Sequence, residues 1–386
     1  MSNSNEPDNK QPDSSGPSLK SRRDLLRAGA AMAVGAIGGA ALGPFGGAAA
    51  KVAYGATPPP YQTQVYPVYF PLTTFVPDFD IAGKFAVVTG ASRGIGRATA
   101  EALVAKGVYV IGTSRNVRTV PNPPTTFPLL NLDITSDTSV KQFVSDLLRH
   151  SLYPGHIDIL INNAGRAVAG TIIPPSIASD PTGYFLAQAQ LGRETVYGGH
   201  MRVTERLLPY MAQTDYSRLL FTVSEQAYTV GGSPAEALFG DGAFSYMSVY
   251  TSAKRALLAY ANNLRGYLRA AGSPIKVSTV NPYGVRTTIF DGLNPVYTEP
   301  VDSDGNSPSN PAFQKFMDEA RGAEKAALPP SYVGETYAQL LSMTNPNFNV
   351  AVAAPIDTFN AQFIQFVNSV ALAENQESAM RFGSGS

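Results

Sequence analysis

An α/β protein built on one doubly wound parallel sheet is predicted by three observations. A short apolar run, Phe85–Thr89, passes through a glycine-rich turn into a helical pattern, the opening unit of such a sheet. Further short apolar runs alternate with segments of helical spacing, which calls for parallel strands joined by crossover helices. The 386 residues are 44% hydrophobic and 15% charged, enough apolar material for one sizeable domain with extensions.

Composition narrows the function classes. The formal net charge is zero, and no basic stripe stands out, which argues against a general nucleic-acid binder. The absence of cysteine excludes disulfides, thiolate metal sites, cysteine nucleophiles and lipid-modified cysteine. The histidines His150, His156 and His200 are widely spaced and read as surface or loop residues, so no metal site is expected.

Taken in order, residues 1–50 read as an address and 51–82 as an extension. Residues 1–18 are rich in Ser, Asn, Asp and Pro, a composition expected to be disordered. Ser21-Arg22-Arg23-Asp24-Leu25-Leu26-Arg27 then precedes an uncharged Ala/Gly-rich run from Ala28 to Ala50, the pattern of an export signal. It resembles the twin-arginine signal Ser-Arg-Arg-x-Phe-Leu-Lys, with Leu25 for Phe and Arg27 for Lys. Ala48-Ala49-Ala50 offers a small-residue cleavage site. An uncleaved anchor is the alternative, since the run has the length of a membrane span, but its glycines and Pro44 make it weakly apolar. An exported, periplasmic protein is therefore expected, with the twin-arginine machinery as partner and membrane contact only through this segment. Residues Thr57–Asp80 are rich in Pro and Tyr and read as an extended segment on the domain surface.

The domain itself spans 83–358. After Phe85–Thr89 comes Gly90-Ala91-Ser92-Arg93-Gly94-Ile95-Gly96. Between strand and helix, such glycines allow a pyrophosphate to approach the backbone and the helix N-terminus. Val108–Gly112 is a second strand leading to Thr113-Ser114-Arg115. No acidic residue stands there for the ribose diol of NAD, whereas Arg115 and Arg93 suit a 2′-phosphate, so NADP is expected with NAD possible. Leu129–Ile134 is a third strand and turn containing Asp133, Val140–Leu148 has helical spacing, and Ile157–Ile161 is a fourth strand ending in Asn162-Asn163-Ala164-Gly165.

Arg218–Ser224 reads as a fifth strand, with Ser224 at its C-terminal end, where ligands bind in open α/β sheets. Tyr250-Thr251-Ser252-Ala253-Lys254 follows. At helical spacing Tyr250 and Lys254 share a face, and an ammonium beside a phenol favours the phenolate, a pairing suited to proton exchange with a carbonyl or alcohol. Tyr246 competes less well, because Tyr250 four residues on brings it no charge. Ile275–Val280 is a sixth strand, Pro330 opens a helix, Phe348–Ala354 is a last strand, and residues 359–386 hold a terminal helix, Phe359–Ala373, and a tail.

These pieces, Thr89-Gly90-x3-Gly94-x-Gly96, Asp133, Asn162-Asn163-Ala164-Gly165 and Tyr250-x3-Lys254, resemble a short-chain dehydrogenase/reductase and stand in that family's order from Gly83 to Pro355. The resemblance implies a Rossmann-like single domain that binds a nicotinamide dinucleotide. Gly90, Ser92, Arg93, Gly94, Ile95 and Gly96 would hold its phosphates, Ser114 and Arg115 its adenosine ribose, and Asp133 its adenine. Asn163, Ala164 and Gly165 would line the cleft, and Thr287 would meet the nicotinamide amide. Tyr250 would be the acid/base and Ser224 would orient the substrate oxygen. Lys254 would bind ribose and tune Tyr250.

Three departures are visible. Ser224 lies 26 residues before Tyr250, about twice the family's usual gap, with a glycine-rich loop between; lengthening a loop costs little. The family's relay asparagine falls at Val196, with Glu194 and Thr195 the nearest polar residues. Pro282-Tyr283 stands where Pro-Gly is usual. The segment from Phe290 to Leu328, with a helix at Pro311–Lys325, would be the variable substrate lid. An oxidoreductase acting on a carbonyl or secondary alcohol follows, expected as a homo-oligomer. The alternatives are a non-catalytic NADP-binding sensor or structural module on the same fold, and a sugar-nucleotide-modifying relative whose glycine spacing differs.

Overall fold

The computed structural model describes residues 77–167, 184–228, 247–282, 284–287, 289, 328–346 and 349–352. The export signal, most of the Pro/Tyr-rich extension, the loop before Tyr250 with Tyr246, Tyr283, the lid with Pro311–Lys325, and Phe359–Ala373 lie outside the described residues.

Seven parallel strands form one sheet: β1 (Phe85–Val88), β2 (Tyr109–Ser114), β3 (Leu129–Asn131), β4 (Ile159–Asn162), β5 (Ser217–Thr222), β6 (Ile275–Pro282) and β7 (Asn349–Val352). Their order is β3-β2-β1-β4-β5-β6-β7. The chain winds outward one way from β1 and then the other way from β4, so a crevice opens between the C-terminal ends of these two strands. All seven strands stand where the apolar runs predict them, with ends shifted by a few residues.

Alternation along each strand builds two cores. Phe85 and Val87 of β1 face one side, with Val140, Phe143 and Leu147 of α2 (Asp137–Arg149), Val203, Leu207 and Met211 of α4 (Gly199–Met211), and Leu257, Leu258 and Ala261 of α5 (Ser248–Ala270). Ala86 and Val88 face the other, with Ala100 and Leu103 of α1 (Gly94–Ala105) and Val333, Tyr337 and Leu341 of α6 (Pro330–Leu341). Burial on both faces explains why β1 and β4 read as unbroken apolar runs rather than as alternating ones. α2 starts where Ser136 Oγ accepts from the Ser139 N–H, and α6 starts with proline in its first turn, both favourable helix openings. Among the described residues the remaining helix, α3 (Tyr184–Arg193), runs into α4 through a π-helical turn, Glu194–Gly198.

Candidate active site

The glycine turn is closed by contacts that admit no side chain. Gly90 and Gly94 have φ of 68° and 57°, in the left-handed region that glycine enters freely. A Cβ on Gly90 would lie 2.8 Å from Ala164 Cα, and one on Gly96 would collide with the Gly90 carbonyl and the Asn163 amide. Asn163 Nδ2 donates to the Thr89 carbonyl at 3.0 Å, and the N–H groups of Asn163 and Ala164 both donate to Thr89 Oγ1, at 2.9 and 3.0 Å. The turn is thus bolted across the β1–β4 crevice. α1 begins right after it with no side-chain cap and no acidic residue in its first turn, leaving N–H groups and the positive dipole end for an anion. A flat backbone cradle ending in such a helix fits a dinucleotide pyrophosphate. Thr287 approaches the same turn, its methyl 3.4 Å from where a Gly94 Cβ would sit.

At the neighbouring strand ends, Ser114 closes β2 and its carbonyl accepts from Leu132 N at 2.8 Å. Arg115 follows, exposed, and the next residue is Asn116, not an acid. Asp133 sits just past β3 in a turn that its Oδ1 fixes by accepting from Thr135 N and Thr135 Oγ1.

The other half of the site is built on β5 and α5. Ser224 lies two residues beyond β5 rather than within it, is nearly buried, and its Oγ accepts from Gln226 N at 3.2 Å. The 3-10 turn Glu225–Tyr228 packs on α5, where Thr251 Oγ1 donates to Gln226 Oε1. Lys254 is only 4% exposed; its Nζ donates to the Thr222 carbonyl at 2.7 Å and lies 5.6 Å from the Tyr250 ring centre. The helix therefore brings Tyr250 and Lys254 together as the spacing predicts, and Ser224 lies two residues beyond Thr222, whose carbonyl holds Lys254.

Two buried hydroxyls tie the halves together. Thr222 Oγ1 shares a 2.6 Å hydrogen bond with Tyr337 Oη and donates to Asn163 Oδ1 at 3.2 Å. Asn163 thus touches both the glycine turn and the strand that anchors Lys254. Burial drives the Tyr337 phenol pKa upward, against the pull of Thr222, so this hydroxyl stays protonated.

Near the relay position the structure corrects one expectation. Val196, within the π-helical turn, is wholly buried and packs with Ala253 among neighbours that include Tyr250. Glu194 is turned to Arg202, at 3.0 Å, and Thr195 Oγ1 donates back to the Leu191 carbonyl, so neither reaches toward Tyr250. His200, read as a surface or loop residue, is instead fully buried on α4. It falls on the stripe Val196, Val203, Leu207 that the helix turns inward.

A family model for the short chain dehydrogenases matches residues 84–297. The chain belongs to the short-chain dehydrogenase family. Family membership makes it a nicotinamide-dependent oxidoreductase. Among curated relatives, a 3-ketodihydrosphingosine reductase of Bacteroides thetaiotaomicron is 25% identical over 283 residues, 72% of this chain and 91% of that protein. A farnesol dehydrogenase of Aedes aegypti is 28% identical over 215 residues, 54% of this chain and 80% of that one. The fold is shared with a crystal structure of a short-chain dehydrogenase from Streptomyces avermitilis (TM-score 0.55, 24% identity, 77% of this chain and 96% of that chain). It is shared too with a Burkholderia phymatum short-chain dehydrogenase/reductase in complex with NAD (TM-score 0.56, 21% identity, 76% and 96%).

The sequence reading of this short-chain dehydrogenase gave Thr89 no role beyond its motif, passed over Thr222 and Tyr337, and misplaced His200. The first three work through backbone and hydroxyl contacts across strands, which no local pattern announces. His200 did leave a signal, because it stands four residues after Val196 and four before Thr204, on the apolar stripe of its own helix.

Proposed function

We propose that this short-chain dehydrogenase interconverts a carbonyl and a secondary alcohol with NADP(H). The observation that carries the reading is Lys254, buried and fixed to the end of β5, with its ammonium beside the Tyr250 ring and a few residues from Ser224. When bound, the nucleotide supplies or takes up a hydride. Gly90, Gly94 and Gly96 with the open start of α1 hold its phosphates, and Asp133, Asn163–Gly165 and Thr287 bound its cleft. Ser224 holds the substrate oxygen by hydrogen bonding. Tyr250 gives that oxygen a proton in reduction and takes it back in oxidation. Lys254 holds the nucleotide ribose and stabilises the Tyr250 phenolate.

The NADP preference rests on Arg115 and Arg93 and on the lack of an acid after β2. The names of two relatives, a ketodihydrosphingosine reductase and a farnesol dehydrogenase, favour a carbonyl on a long apolar chain. A panel of such ketones and aldehydes with NADPH, run on wild type and Tyr250→Phe, tests the assignment. Wild type should turn over and the variant should lose roughly a hundredfold or more; equal rates would overturn it. One observation favours a second reading, a nucleotide-binding module without turnover: apolar Val196 stands at the relay position, in the small cluster on which Tyr250 packs. We further propose export in folded form with the nucleotide aboard, on the strength of Ser21–Arg27 and the Ala/Gly run. Intact mass analysis of the native protein should show a mature N-terminus near Lys51 and bound nucleotide; a full-length, nucleotide-free protein would refute this.

A further inference from the structure

His200 is a buried base that the chemistry above does not use. Its side chain is fully buried, and among the described residues neither ring nitrogen has a hydrogen-bond partner. Buried polar groups are rarely left so, because each unpaired one costs about 1–3 kcal/mol, and the exceptions mark a functional or water-binding position. The surroundings of this ring are polar in a specific way. The charged group acting on it is Lys254 of α5, and the Ala164 carbonyl of the β4 loop lies close enough to favour a proton on the ring without completing a hydrogen bond. Among the described residues Asn162 Oδ1 is a second buried acceptor without a partner, while its Nδ2 donates to Thr204 Oγ1, one turn along α4 from His200. Asn162 pairs with Phe221 across β4 and β5, next to the Thr222 carbonyl that holds Lys254 Nζ. Ala164 and Gly165 are partly and openly exposed, so polar groups run from beside the lysine anchor toward the surface.

We propose that His200 is the positioning residue for proton supply to Lys254, holding between its ring and the ammonium the water through which the lysine exchanges protons. It does so one helical turn from Val196, which has no polar group to offer. The inference rests on the carbonyl–alcohol reading above. Each carbonyl reduced consumes one hydride and one proton. The Tyr250 hydroxyl proton goes to the substrate oxygen, and the phenolate takes a proton from the Lys254 ammonium. The resulting amine takes one from the water, and the hydroxide left behind is neutralised by a proton from solvent along the string past Ala164. His200 begins and ends neutral. Burial and the Lys254 charge lower its pKa to about 3, so the ring is a lasting acceptor that never competes with the lysine for the proton.

The test compares His200→Leu, which fills the space without an acceptor, and His200→Gln, which keeps one. With saturating NADPH and the carbonyl panel, His200→Leu should lose roughly tenfold or more in kcat with KM nearly unchanged. The loss should deepen as pH rises and solvent protons become scarce. His200→Gln should stay within about threefold. A His200→Leu protein that is folded by thermal melting yet matches wild type in kcat and pH profile would overturn the proposal. A second arm is independent of turnover. Three histidines give three imidazole signals in 15N NMR, and one ring nitrogen of His200 should shift when Lys254→Met removes its partner. An unchanged signal would overturn the His200–Lys254 link. A shifted signal in a protein inert toward every carbonyl would uphold that link and defeat the carbonyl assignment alone.

Discussion

Gly96 shows how a single residue can be held by geometry rather than by propensity. Any Cβ there runs into the Gly90 carbonyl and the Asn163 amide, and that amide is fixed by its bond to the Thr89 carbonyl. Gly96→Ala should therefore open the turn, weaken NADPH binding by at least tenfold and cost about 1–3 kcal/mol of stability. Fluorescence titration and thermal melts would check both, and unchanged affinity would show that the cradle is elsewhere. His200 carries a pH prediction of its own. Its folded-state pKa, about 3, lies below the ordinary 6.5, so the unfolded chain binds the extra proton between these values. The contribution to stability is full above pH 6.5 and is lost as pH falls toward 3, by up to about 1.4 kcal/mol per pH unit. Urea unfolding from pH 7 to 4 should show this slope in wild type and a shallower one in His200→Leu. Parallel curves would mean that the ring finds a proton partner in the folded state. The placement of Tyr250, Lys254 and the glycines was legible because each belongs to a short local pattern. His200 was misread because three scattered histidines look alike until the helix that carries one of them is turned about its axis.

At the scale of elements, strands and helices announced themselves wherever a run of apolar residues met a turn signal. The π-helical turn Glu194–Gly198 did not, since its extra residue per turn leaves no mark on a pattern read at helical spacing. Its effect is local but consequential, because Val196 is buried in the small cluster on which Tyr250 packs while Glu194 pairs with Arg202. Contacts between elements were equally hidden. α6 lies so close to α1 that a Cβ on Gly334 would sit 2.6 Å from the Ala98 carbonyl. That approach brings Tyr337 to Thr222, and through it α6 reaches the strand that anchors Lys254. Thr222→Val should leave the Tyr337 hydroxyl buried without that partner and cost about 1–3 kcal/mol. Adding Tyr337→Phe should return part of the loss, because removing both partners of a buried hydrogen bond is far milder than removing one. Strictly additive losses in the double-mutant cycle would mean that the two hydroxyls do not work as a pair.

Across the whole sheet the two edges have separate tasks, and that division was not legible from any one segment. Strand existence could be read along the chain, but the order β3-β2-β1-β4-β5-β6-β7 depends on long-range pairing. The crevice between β1 and β4 exists only because of that order. At the C-terminal edge lie the glycine turn, Ser224, Tyr250 and Lys254. At the opposite edge, about 13 Å away along β1, Asp158 is 2% exposed and ties three strands together. Its carboxylate accepts from Phe85 N at 2.9 Å and Thr214 Oγ1 at 3.0 Å, with Lys84 Nζ at 3.7 Å, and its carbonyl accepts from Arg218 N. Asp158→Ala would leave the buried Phe85 N–H without its acceptor, take one of two acceptors from the Thr214 hydroxyl and remove the ion partner of Lys84, at a cost of about 2–4 kcal/mol. For a domain of this size that corresponds to a fall in Tm of roughly 5–15 °C. Below the transition, NADPH affinity should change by less than about twofold, since sites this far apart with no shared partner act independently. Calorimetry and nucleotide titration on the same sample decide it. A variant that melts like wild type but binds NADPH poorly would mean that the anchoring edge and the binding edge are coupled through the strands between them.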